Sequence, residues 1–211
     1  QIATQIGIPY EDLLVVPVYE NIEPVLTGEV SSIIITGSDA MVTDLKPWSV
    51  ATAKWLRRII HRGIPILGIC YGHQLLSQAL DGVVDYHPLG KEYGEVEVSL
   101  TEEGENDPLL SVLPSTFTGY VAHSQSIIKL PPDARVLARN TFEASHAVRF
   151  CKNVWGVQFH PEFNGEITRI HVEEEKEILA KGGVDVEKLR QSIQDNDYGR
   201  ILLKRFFELS K

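Results

Sequence analysis

The chain has 211 residues, of which 43% are hydrophobic, 8% aromatic and 23% charged, with a formal net charge of −9. That length points to one domain with apolar material for one large core, and the acidic balance argues against nucleic acid or an anionic membrane as main partner. No apolar run approaches the ~20 residues that cross a bilayer, and the opening QIATQIGIPYEDLL lacks the basic n-region of a secretory signal. The two cysteines, Cys70 and Cys151, give no disulfide framework, so a reducing, cytoplasmic setting is expected.

Three apolar runs come early, at Leu13–Val18, Ser31–Thr36 and Ile64–Ile69. The second and third, SSIIIT and IPILGI, are continuous rather than alternating, as in parallel strands covered on both faces. Between them, Pro47–Arg62 has Pro in a first turn and apolar residues at three- and four-residue spacing, which predicts an amphipathic helix capped at Gly63. A second helix is expected over Gly72–Leu80. Strand, helix and strand in this order imply a mostly parallel sheet. The middle differs. Gly94–Leu100 alternates strictly, which predicts a strand with one face in water. Phe117–Ala122, Ala134–Ala138 and Ala144–Val148 add short strands, and Val154–Phe159 is another apolar run. From about Asn164 the chain reads as charged helices. The expectation is one α/β domain over residues 1–211, a mostly parallel central sheet flanked by helices with a small antiparallel excursion.

Gly68-Ile69-Cys70-Tyr71-Gly72-His73-Gln74 holds the sharpest chemistry. It is G-x-C-x-G, the thiol counterpart of the G-x-S-x-G strand-to-helix turn. Glycines flank a nucleophile there because the backbone is strained and larger residues collide with neighbouring elements. The turn lifts the sulfur to the sheet's carboxyl edge and points it at a helix N-terminus, which favours the thiolate. The bland alternative is a small buried cysteine between packing glycines.

A thiol nucleophile needs a base, and the base needs an orienting group. The chain offers His61, His73, His87, His123, His146, His160 and His171. His160 ends the run VWGVQF, so it belongs at the same sheet edge. Glu162 lies two residues on and faces the same way in an extended segment, with Pro161 stiffening the link. An incidental histidine at a capped strand end is the alternative.

GICYGHQLL followed by GVQFHPEF closely resembles the class I (triad) glutamine amidotransferases, over Val15 to Phe163. The resemblance implies a flavodoxin-like fold with Cys70 as nucleophile, His160 as general base and acid, and Glu162 as orienting carboxylate. It also implies a γ-glutamyl thioester released by water as glutamate, with neither cofactor nor metal. The oxyanion donors would be the amide of Tyr71 and a group from the loop after SSIIIT, with Gly37 favoured. Relatives often carry two glycines there, and this chain has Gly37 then Ser38. Gln74 would help to hold the bound glutamine, a solvated helical glutamine being the alternative. Tyr120–Ser126 matches the segment that grips the substrate's amino-acid end, which implicates His123, Ser124 and Gln125. Many relatives have aspartate where Gln125 stands, and His123 reads equally as structural.

Lys91-Glu92-Tyr93-Gly94 is similar to a short motif of GMP-synthase amidotransferase domains. No S-G-G-x-D-S phosphate loop or Walker fingerprint accompanies it. The resemblance therefore implies glutamine as substrate, a separate synthetase subunit as ammonia acceptor, and no nucleic acid or membrane. It also implies a strand and loop ahead of the helix QIATQIG; without them a sheet edge would be bare. Two other activities fit the same residues. One is a γ-glutamyl peptidase or hydrolase acting on γ-glutamyl conjugates, and the other a non-catalytic module that keeps the fold. Cys151 reads as a hairpin residue, and HVEEEKE as a solvated helix face.

Overall fold

The isoleucine run ending at Thr36 forms β1 (Ile33–Ile35), and IPILGI forms β2 (Ile66–Ile69), the two paired in parallel with Ile35 opposite Gly68. The computed structural model describes residues 1–26 and 30–211. Between these strands lies α2 (Pro47–Ile59), preceded in the chain by the short α1 (Ile2–Ile6). Helix α2 starts with Pro at its first turn, continues as one 3-10 turn, and ends at Gly63 with φ 78. Trp55, Leu56, Ile59 and Ile60 bury its apolar stripe against Leu75, Leu76 and Ala79 of α3 (Tyr71–Ala79).

The middle of the chain supplies β3 (Val83–Tyr86), β4 (Glu92–Leu100), α4 (Glu102–Glu105), β5 (Thr116–His123), β6 (Gln125–Lys129), β7 (Arg135–Arg139), β8 (Ala147–Cys151) and β9 (Val154–Val157). The large sheet has the order β1-β2-β9-β8-β7-β4-β5, and β3 pairs with β6 in a small separate ribbon. Strand β9 runs parallel to β2, with Gly68 opposite Gly156 and Ile69 opposite Val157. All later pairings among the described residues are antiparallel. The sheet is thus mixed. Parallel pairing is confined to β1, β2 and β9, and the expected antiparallel excursion makes up the other side. Strands β3 and β6 carry no alternating pattern long enough to announce them.

The apolar run Leu13–Val18 takes no strand. Leu14 and Val15 are 69% and 58% exposed, and Pro17 cannot donate to a ladder. The expected strand at Ala144–Val148 begins instead at Ala147, because residues 143–145 are held in a turn by Glu143. The tail forms α5 (Gly165–Glu174), α6 (Lys176–Lys181), α7 (Val186–Ser192) and α8 (Tyr198–Glu208). Helix α8 inserts Leu202, Leu203 and Phe206 into the core formed with Leu67, Trp155, Val157 and Phe159. Val172, Leu179 and Ile193 pack against Tyr120 as a second, smaller cluster. Among the described residues no helix is long and apolar enough to cross a membrane.

Close approach fixes how α3 sits on the sheet. A Cβ added at Gly72 would lie 2.2 Å from the carbonyl oxygen of Ile35, and one at Gly68 would lie 2.5 Å from the backbone of Gly72. Gly63 shows only a positive φ with open space around it. Gly72→Ala is therefore expected to cost about 2–3 kcal/mol, the scale of an overpacked core. Gly63→Ala should cost only about 1 kcal/mol for its left-handed backbone. Urea unfolding of both variants checks the order, and equal losses would show that α3 moves freely off β1.

Candidate active site

Cys70 follows β2 directly and precedes the first residue of α3. Its backbone has φ 49 and ψ −102, a conformation that L residues rarely hold. The neighbours leave it little choice. Its N–H donates to Val157 O at 2.8 Å, its carbonyl accepts from Gln74 N–H at 3.1 Å, and Gly68 and Gly72 permit the tight crossing. The first bond of α3 is that from Gln74, so the amides of Tyr71, Gly72 and His73 have no helical acceptor. The sulfur thus stands at a helix N-terminus whose donors face outward, only 7% exposed.

His160 arrives from β9, the strand beside β2. Its N–H donates to Tyr120 O at 2.8 Å, which ties it to β5 as well. Nδ1 lies 2.9 Å from Glu162 Oε1, with both side chains buried. Phe163 stacks on the imidazole with centroids 4.2 Å apart and only 12° between planes, and His171 covers the far side of Phe163 at 4.8 Å. Behind the pair, a Cβ on Gly199 at the start of α8 would lie 2.3 Å from Pro161 O, so α8 clamps the His160-Pro161-Glu162 segment. Burial is the largest influence on the imidazole and disfavours its charge. The Cys70 thiolate and the Glu162 carboxylate outweigh it and hold His160 at about 10.

Gly37 stands at the end of β1 against this pair. A Cβ there would lie 2.9 Å from His160 Cε1 and 3.8 Å from Cys70 Cβ. Gly37, Cys70, Tyr71, His160 and Glu162 therefore converge. The remaining predicted residues are engaged with one another and with the loop after β1. Gln74 Nε2 donates to Gln125 O at 2.8 Å and to Gln158 Oε1 at 3.0 Å. Gln125 closes its amide on the loop after β1, accepting from Val42 N–H at 3.0 Å and donating to Thr43 Oγ1 at 2.6 Å. His123 sits between Glu92 Oε2 at 2.9 Å and Gln125 O at 3.0 Å. Ser124 Oγ reaches Met41 Sδ at 3.7 Å. Burial favours the neutral form of Glu92, but hydrogen bonds from His123, His146 and Asn140 hold its carboxyl well below the usual carboxylate range. His73, fully buried, is pushed down to about 4 by burial and is no base for Cys70. Tyr93 closes the other side, where burial and then Glu175 push its hydroxyl up to about 12, with Cys70 and Asp39 adding.

Gln158 is the residue that sequence reasoning passed over. It is fully buried, and its Nε2 lies 3.4 Å from Cys70 Sγ. A lone amide inside the otherwise apolar run VWGVQF was the available signal. Among the described residues, no group of three or more His, Cys, Asp or Glu side chains is arranged to hold a metal ion.

The sequence model of the family described as glutamine amidotransferase class-I matches residues 10–180. The chain belongs to the class I glutamine amidotransferases. Among curated relatives, a GMP synthase [glutamine-hydrolyzing] of Aeropyrum pernix is 41% identical over 104 residues, covering 49% of this chain and 20% of that protein. One from Borreliella burgdorferi is 32% identical over 148 residues, covering 70% of this chain and 27% of that protein. The chain thus spans about a quarter or less of the length of these amidotransferase relatives. A glutamine amidotransferase of Thermotoga maritima superposes with TM-score 0.71 at 21% identity, covering 84% of this chain and 78% of that one, which shows the shared α/β fold.

The charge state of His160 yields a measurable sign. In the folded protein its proton is held up to about pH 10, because the thiolate favours the imidazolium. Cys70→Ala removes that charge and leaves burial opposed by Glu162 alone. The ring should then titrate well below 10, read from the His160 Cε1–H resonance against pH. A midpoint that stays near 10 in the alanine variant would mean that the sulfur carries no charge at rest.

Proposed function

We propose that residues 1–211 act as one amidotransferase domain that hydrolyses the side-chain amide of glutamine with Cys70, His160 and Glu162. The observation that carries this reading is the convergence of Cys70 and His160 on Gly37, with His160 Nδ1 fixed by Glu162 at 2.9 Å. The Cys70 thiolate attacks the amide carbon. Negative charge then develops on the amide oxygen, beside the Tyr71 N–H and the Gly37 turn, where donors are most useful. His160 gives its proton to the departing nitrogen, ammonia leaves, and a γ-glutamyl thioester remains. The imidazole then takes a proton from water, which attacks the thioester. Glutamate departs, and the thiolate and imidazolium are restored. Proton and charge balance without cofactor or metal.

Membership of the class I amidotransferases, together with GMP synthases among the curated relatives, supports delivery of the ammonia to a synthetase. In this reading the acceptor chemistry belongs to a domain or subunit beyond these 211 residues. Gln74, His123, Ser124 and Gln125 then shape the wall of the glutamine pocket through the bonds described above, with little free side-chain polarity of their own.

Glutamate release from glutamine by the purified protein tests the reading. Cys70→Ala should abolish release while the chain stays folded. Glu162→Gln should retain a residue of activity, with kcat lowered by roughly 10²–10⁴, since an orienting group is lost rather than the nucleophile. Release that survives Cys70→Ala would sink the mechanism. Preferential turnover of a γ-glutamyl dipeptide would replace it with γ-glutamyl hydrolysis.

A further inference from the structure

Parallel register brings a third polar group to the sulfur. Ile69 lies opposite Val157, so the next residues along, Cys70 and Gln158, stand side by side at the ends of β2 and β9. Gln158 Nε2 is 3.4 Å from Sγ, an ordinary separation for an N–H donor to sulfur. Which end of a buried amide faces a neighbour has to be argued from its partners. Here the partners decide. The carbonyl oxygen of Gln125 only accepts, so the group of Gln74 that meets it at 2.8 Å is the amide nitrogen. That same nitrogen meets Gln158 at 3.0 Å, so the Gln158 end facing it is the oxygen. The nitrogen of Gln158 is then left for Cys70. Each member is buried, with Gln158 fully so and Gln74 and Gln125 at 4% and 1% exposure, and rotation of any amide would set like against like.

We propose that Gln158 is a catalytic residue that donates a hydrogen bond to the Cys70 thiolate, held in that orientation by Gln74 and the Gln125 carbonyl. This rests on the hydrolytic reading above and adds a second donor to the sulfur beside His160. The bond matters twice. It holds the resting thiolate and its direction in a largely buried site, and a donor to a charged acceptor is worth more there than in solution. It weakens when the sulfur becomes a neutral thioester, and forms again as the thiolate leaves during hydrolysis. Gln158 thus favours breakdown of the intermediate, and serves its formation by keeping the sulfur ionised. Gln74 is then a positioning residue, which acts on the sulfur through Gln158.

The test reads the sulfur without glutamine. Iodoacetamide alkylation of Cys70 is followed against pH in a Cys151→Ser background, since Cys151 is exposed and free. The other charged or titratable groups that interact with the sulfur are His160, which Glu162 holds, and Tyr93, and all are kept. Gln158→Met keeps the length of the side chain and loses the donor. Its alkylation rate on the acidic limb of the profile should fall about tenfold and return to the parent rate at high pH, with the midpoint about one unit higher, the scale of one hydrogen bond to a charged group. Gln74→Met should move the midpoint the same way by less. Should Gln158→Met fail to fold, Gln158→Leu carries the same test, because it removes the donor without adding a charge beside the sulfur. A folded Gln158 variant with the parent pH profile overturns the proposal, and a Gln74→Met profile equal to the parent overturns the orienting chain. Either result stands whether or not the protein releases glutamate, so failure here is separable from failure of the hydrolytic reading.

Discussion

The backbone of Cys70 is the constraint on which the rest of the site depends. A residue with a Cβ at φ 49 is unfavourable by itself, and the surrounding structure holds it there. Its N–H is taken by β9 and its carbonyl by α3. The glycines on either side let the strand and helix cross at distances that no side chain allows. The sulfur is consequently fixed relative to two elements at once. One is β9, which carries Gln158 and leads to His160. The other is α3, whose first amides point outward and whose Gln74 reaches back to Gln158. A displacement of α3 would therefore disturb the turn and the amide chain together.

Charge in the site is held by specific partners against burial. Burial opposes the charge of His160, but Cys70 and Glu162 beside it push it up to about 10, and Glu162 is carried on the same short segment. The Phe163 ring covers the imidazole face and excludes water, which strengthens both interactions. Similar logic governs the neighbouring wall. Glu92 stays ionised through His123, His146 and Asn140, and Glu143 accepts from Ser126 and Ser145. These polar groups lie at the junction of the antiparallel strands with the loop after β1. The bonds of Glu92 and Glu143 tie these strands together, while both ring nitrogens of the buried His146 lack a well-aligned hydrogen-bond partner among the described residues.

The antiparallel strands extend the parallel ones in a functional sense. Strand β5 provides the Tyr120 carbonyl that anchors His160, and its end carries His123. Strand β4 supplies Glu92 and Tyr93, and the tail helices close over the same face through Tyr120 and Leu189. Helix α8 reaches the site only by its backbone, where Gly199 meets Pro161. Much of what orients the reactive groups therefore comes from segments with no reactive side chain.

The local geometry of the candidate site was legible in the sequence because it is short-range. G-x-C-x-G encodes a tight turn within five residues, and H-P-E encodes an imidazole and a carboxylate on one side of an extended tripeptide. Helix α2 and strands β1, β2 and β4 were legible from periodicity and from the residues that cap them, all short-range effects. Other features were decided by tertiary structure. The run Leu13–Val18 is as apolar as a strand but has no neighbour to pair with among the described residues, and strand formation needs one. Strands β3 and β6 exist because they meet each other. The conversion of Gln125, His123 and Gln74 into mutual partners, and the placement of Gln158 against the sulfur, follow from the register of β2 on β9 and of the loop after β1 on β6. Sequence determined which groups exist and which pairs lie within a turn of one another. Only the folded chain decided which distant amides face each other, because a hydrogen bond depends on distances of a few tenths of an ångström that no local pattern specifies.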